Sequence, residues 1–224
     1  MPSTTSRHFI QPSRPVSEPC VRAFDVLCKS VDACESFHVI FRQLRSAAGR
    51  GTTTDAEQDT LRAMLVFACA GLDSCLKQLV GDALQSIIDR DRGAQETFTE
   101  NVRRKLPDIE KSRDLLAALL TASNPRMTLL ERVVDDLVAD SLQSVAQLSK
   151  VAGAFNVKSS ELGDMRALKD AFDARNQIIH EMDINFSANR SRRPRRQSDM
   201  ERLTKTVLDA AARLLEKVDN KLLN

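Results

Sequence analysis

A short run, Phe172-Asp173-Ala174-Arg175-Asn176-Gln177-Ile178-Ile179-His180-Glu181-Met182, holds side chains that could move a proton beside an anion. An imidazole with an unperturbed pKa near ~6.5 serves as general base or general acid at neutral pH. A guanidinium offers a rigid donor fork that matches the oxygens of a phosphate. An uncharged amide can orient either the imidazole or a substrate. His180, Arg175 and Asn176 supply one of each.

On a helix, Leu168, Phe172, Arg175 and Ile179 fall along one row. Three of them are apolar and should face the core. The fourth is Arg, whose charge costs several kcal/mol to bury without a partner. Asp173, Asn176 and His180 form a neighbouring polar row. A purely structural reading is available: Arg175 pairs with an acid on another helix, such as Asp73, and His180 is a helix-end cation favoured by the dipole. The functional reading carries a geometric condition. Five residues turn through about 500°, so Arg175 and His180 point about 140° apart. Either the helix breaks before His180, or two copies of it meet and share a site.

A basic loop at 187–198 begins seven residues after His180. Arg190, Arg192, Arg193, Arg195 and Arg196 lie within it with no intervening acid. Its functional reading is a flexible clamp on phosphate backbone, and its plainer reading a solvated loop or a signal for another protein. No aromatic residue interleaves, which argues against base stacking. Without these five Arg, 28 basic residues face 31 acidic ones, so the body is slightly acidic with one cationic spot.

Other candidates are weaker. His38 sits in an apolar helical stripe and reads as a core or interface histidine. His8 lies near the N-terminus and reads as incidental. Asp135, Asp136 and Asp140 read as a solvated helix face rather than a Mg²⁺ site. The five Cys form no CxxC and most lie in apolar helical patterns, so no zinc site is expected. No metal and no cofactor is expected for the reaction.

The elements that must position these residues are helical. The 224 residues suit one sizeable domain, 42% are apolar, and only 4% are aromatic, with seven Gly. That composition disfavours a β-sandwich or barrel, and no Gly-rich nucleotide-binding turn occurs. Four long helices are predicted at about 20–48, 55–90, 159–182 and 199–222. Thr54 and Glu57 form a capping box for the second. Residues 1–19, rich in Pro, Ser and Thr, read as a mobile tail. Residues 94–158 read as a helical insertion between the second and third long helices: one short helix ending before Pro107, another over 108–121, and a longer one from 125 to about 152. A break is placed at Gly93. The expectation is an all-α bundle of residues 20–224. No apolar run reaches 18 residues, so no transmembrane span is expected. No signal peptide is read, and the cysteine usage suits a reducing cytoplasm.

Arg175-Asn176-Gln177-Ile178-Ile179-His180, placed on the third long helix of a four-helix bundle, resembles the motif of the HEPN family: Arg, four to six residues, then His, with a polar residue after the Arg. The run Leu61 to Asp73, apolar and ending in Leu-Asp, is similar to the second helix of some ribonuclease-type members. A Tyr frequent just beyond that Asp is replaced here by Ser74 and Cys75. The resemblance covers the four long helices and omits the tail and the insertion. It implies a HEPN-like bundle, a homodimer with its site at the third long helix, and a metal-independent endoribonuclease, often a toxin or antiviral effector. RNA carries its own nucleophile, the 2′-OH. In that chemistry His180 serves as acid or base, Arg175 binds phosphate, Asn176 orients, and Asp73 and Asp173 support. The implied partners are an RNA substrate, a second copy, and an antitoxin or defence-system protein, with no membrane. The alternatives are a HEPN-like module that has lost catalysis and holds nucleotide or RNA, and a helical interaction protein.

Overall fold

The computed structural model describes residues 7–48, 51–186 and 190–224. The class is all-α. Among the described residues, eight α-helices run α1 (Val21–Ala48), α2 (Asp55–Arg90), α3 (Arg92–Lys111), α4 (Arg113–Thr121), α5 (Pro125–Val138), α6 (Val145–Ala154), α7 (Met165–Glu181) and α8 (Gln197–Leu223). The sole β feature among the described residues is an isolated antiparallel bridge between Ile184 and Arg192.

α2 and α8 pack on one another, and α1 and α7 each touch both, so four helices enclose one core. α2 is central because apolar residues recur along it every three or four positions. Leu61, Leu65, Leu72, Leu76, Leu79 and Ile87 are all fully buried. By length and mean hydropathy α2 could cross a membrane, but half of that stretch is buried inside the protein. Its start is fixed by the expected capping box, with Glu57 N–H donating to Thr54 Oγ1 and Thr54 N–H to Glu57 Oε2. α1 approaches α2 closely at Gly71, where a Cβ would collide with the Ser30 side chain.

Several boundaries differ from the sequence expectation. The break assigned to Gly93 falls at Asp91. Its carboxylate accepts from Ala94 N–H and Asn156 Nδ2, both at 2.9 Å, and so caps α3. Pro107 lies inside α3 rather than beyond its end. The single helix expected over 125–152 is two. α5 stops at Val138, and Ser144 starts α6 by accepting from Gln147 N–H. Between them Leu142 is fully buried and donates its N–H to Asp73 on α2 at 2.6 Å. The third long helix begins at Met165 rather than 159. Residues Ser159–Leu162 form a 3-10 turn, Gly163 takes a positive φ of 131°, and Asp164 caps α7 through Arg166 and Ala167 N–H.

The N-terminal segment is a further correction. From residue 7 onward it packs against the bundle instead of forming a mobile tail. Phe9 is 2% exposed. The N–H groups of His8 and Phe9 donate to Glu35 Oε2 on α1, and those of Val16 and Ser17 donate to Asp219 on α8. Pro in this stretch excludes a helix but not an extended strap whose amides find carboxylates. Residues 1–6 of the expected tail lie outside the described residues.

Candidate functional site

α7 runs unbroken from Met165 through His180, closing at Glu181. The first way of converging Arg175 and His180, a helix break between them, is therefore absent. Leu168, Ala171, Phe172 and Ala174 are buried, as the apolar row requires. The row leaves the core toward its C-terminal end, where Ile179 is 40% exposed.

Arg175 sits at that transition and is half-buried. One guanidinium nitrogen, Nη1, donates to Asn176 Oδ1 at 3.0 Å, while Nε is buried without a partner. The guanidinium lies toward α2. Burial pushes the Cys69 thiol up to about 12, and the Arg175 charge acts against that rise. Arg175 does not meet Asp73. The Asp73 carboxylate instead accepts the Leu142 N–H and pairs with Lys77 at 3.1 Å, anchoring the α5–α6 turn. Asp73 thus serves as an N–H acceptor and salt-bridge partner rather than as the acid that pairs with Arg175. Asp173 is exposed and pairs with Lys169 one turn back.

Asn176 and His180 lie one turn apart on the exposed face of α7. Among the described residues no hydrogen bond or ion pair engages the His180 imidazole, so both ring nitrogens are open to a substrate. The Cys residues offer no rival nucleophile. Burial pushes the thiols of Cys20, Cys34 and Cys75 up to about 12, far from the thiolate that reaction requires.

The basic loop differs most from expectation. Residues 187–189 lie outside the described residues. The rest is a fixed crossing rather than a free clamp. α7 ends in two successive left-handed residues, Met182 (φ 51°) and Asp183 (φ 59°). These turn the chain so that Arg193 N–H donates to Asp183 O at 2.7 Å. The Asp183 side chain is fully buried there and receives Arg62 Nε from α2 at 2.8 Å and Arg195 Nε at 2.9 Å. Burial alone would raise this carboxyl, but the Arg195 and Arg62 hydrogen bonds outweigh it and hold it below its ordinary value. Arg192 pairs with Asp59, whose carboxyl is lowered chiefly by that hydrogen bond. Arg193 pairs with Glu181 at 2.8 Å. Arg195 also donates to Gln177 on α7, and Arg62 to the Arg193 carbonyl. Three of the five loop arginines are thus neutralised within the chain. Arg190 and Arg196 remain exposed with no ion pair among the described residues. A run of Arg reads as a solvated patch in one dimension; the acids that claim it, Asp59 and Asp183, stand far from it or hide behind a helix end.

The fold also gathers residues that looked unrelated in sequence. His8, His38 and Glu201, from the N-terminal segment, α1 and α8, place one ligand-type atom each within 4.8 Å of one another. No sequence spacing signals this group, because its members are 30 and 163 residues apart.

No protein-family model matches the chain, and no curated protein and no solved structure matches it either.

Proposed function

We propose that this protein is a HEPN-type endoribonuclease that cleaves RNA without a metal, working as a homodimer joined through α7. The carrying observation is the exposed, uncommitted imidazole of His180 one turn from Asn176, on the helix that also holds Arg175 with an unpartnered Nε. In this reading a His180 imidazole takes the proton from a ribose 2′-OH. The 2′-oxygen attacks phosphorus, the bond to the 5′-oxygen breaks, and a second His180 gives that oxygen its proton. The Arg175 Nη groups balance the charge that grows on the phosphorane oxygens. A straight helix cannot aim both residues at one phosphate, so the second imidazole and the completed site come from the second copy.

Two further features support a shared site. Ile179 and Met182 bracket His180 and are 40% and 65% exposed, an apolar surface suited to covering by another protomer. Arg190 and Arg196 are the loop cations left to meet RNA backbone. The free thiols of the five Cys fit action in the reducing cytoplasm. The biological role that goes with this chemistry is a toxin or an antiviral effector, held in check by an antitoxin or a defence-system partner. The test is RNA cleavage by the wild type and His180→Ala in the presence of EDTA.

A further inference from the structure

His8, His38 and Glu201 belong to no part of the RNA chemistry above, yet they are arranged as a built site. The His38 Nε2 hydrogen donates to Glu201 Oε1 at 3.0 Å, and His8 Nε2 lies 3.8 Å from Glu201 Oε2. The two rings stack with centroids 4.2 Å apart and planes 23° from parallel, so both present the same edge to one carboxylate. In a tetrahedral zinc site with bonds of about 2.0–2.1 Å, adjacent ligand atoms stand about 3.3 Å apart. The two observed nitrogen–oxygen separations, which run to the two different oxygens of Glu201, bracket that value. The three ligand-type atoms lie within 4.8 Å of one another, so the side chains must close in by up to about 1.5 Å to reach one ion.

Other groups hold these ligands in place. Phe9 meets the His8 ring edge-on at 4.8 Å and the His38 ring at 6.1 Å. Glu35 Oε2 takes the N–H groups of His8 and Phe9 at 2.9 Å and fixes the backbone that carries His8. Gln197 Nε2 donates to Glu201 Oε1 at 2.7 Å and orients the carboxylate. Such outer contacts set ligand direction in metal sites. His38 is buried, whereas the His8 side chain is 37% exposed, leaving an entry side.

We propose that His8, His38 and Glu201 bind one zinc ion and so clasp the N-terminal segment to α1 and α8. Two neutral imidazoles and a carboxylate are an ordinary ligand set for this borderline-soft cation, and zinc imposes no geometry of its own. On binding, the Nε2 proton of each ring passes to Nδ1 or to solvent, and the metal takes its place against Glu201. The site is separate from His180 and does not depend on the ribonuclease reading.

The test is a titration of chelator-treated full-length protein with Zn²⁺ in competition with a chromophoric indicator, paired with thermal unfolding. The wild type should take up one equivalent and unfold at a higher temperature with zinc than without. His8→Ala and Glu201→Gln should each weaken binding beyond the roughly 10- to 100-fold that loss of an outer partner costs, and should abolish the zinc-dependent rise. Both positions are only partly buried, so these variants stay folded where a change at His38 could fail. Co²⁺ substitution should give a spectrum without thiolate charge transfer. Absence of stoichiometric uptake, wild-type affinity in both variants, or a thiolate band that places the metal on Cys would each overturn the proposal.

Discussion

Arg62 and Asp183 form a buried ion pair, Nε to Oδ2 at 2.8 Å, that joins the first turns of α2 to the second residue beyond α7. Their side chains are 4% and 0% exposed. Asp183 also gathers Arg195, so one carboxylate fixes the end of the helix that carries His180 and the start of the segment leading to α8.

Asp183→Asn should therefore destabilise the fold strongly. Removing one partner of a buried pair costs up to about 3–5 kcal/mol, and here Arg62 keeps only its ion pair with the half-exposed Asp59. The folded-state carboxyl lies below its ordinary value of 3.8, so its contribution is complete above that value and fades as pH falls through the folded one. Urea unfolding from neutral pH down to about pH 3 should show an acid-sensitive component in the wild type that the Asn variant lacks. Equal stability of the two at neutral pH would remove Asp183 from its place as the anchor.

How the chain's own acids divide the basic loop leads to a second prediction. Arg190→Ser with Arg196→Ser should weaken RNA binding evenly across sequences. The slope of log affinity against log salt should flatten by about 0.7 for each phosphate no longer neutralised. Arg192→Ser or Arg195→Ser should instead lower the unfolding temperature, since these side chains hold Asp59 and Asp183. Salt-titrated binding beside thermal unfolding separates the two sets. A salt slope that responds to Arg195 and ignores Arg190 and Arg196 would reverse the assignment.

Much of this fold was legible from periodicity. α2 was bounded correctly because Thr54 and Glu57 mark its start and its apolar residues never lose register. The all-α class followed from few aromatics, few Gly and long stripes. What escaped was set by partners distant in sequence. The N-terminal strap is held by Glu35, Asp32 and Asp219, which no local rule connects to a Pro-rich segment. The break between α5 and α6 exists because Leu142 docks on Asp73. Within the candidate site, the identity and order of Arg175, Asn176 and His180 were readable, as was the exposure of the polar row. The burial of Asp183 was not, since an acid two residues past a helix end looks solvated until α2 supplies an Arg.

Assembly gives a third prediction. Light scattering at micromolar concentration should report twice the 24.9 kDa of one chain. Ile179→Asp with Met182→Asp should yield monomers that remain folded, because both side chains are substantially exposed in one chain. Those monomers should lose RNA cleavage while keeping their helical content. A monomeric variant that still cleaves would place a complete site within one protomer and remove the need for a second His180.

The most direct measurement is the rate of RNA cleavage by purified wild type and His180→Ala, each in excess EDTA. His180 is exposed and has no partner among the described residues, so the substitution leaves the fold intact, which circular dichroism and an unchanged unfolding temperature would show. Carrying His8→Ala through the same assay isolates any effect of EDTA on the clasp from an effect on chemistry. The wild type and His8→Ala should both cleave, and His180→Ala should fall by roughly 10² to 10⁴, the range for losing a general acid or base. Undiminished cleavage by His180→Ala, or no cleavage by the wild type on any RNA, would contradict a ribonuclease that works through this imidazole.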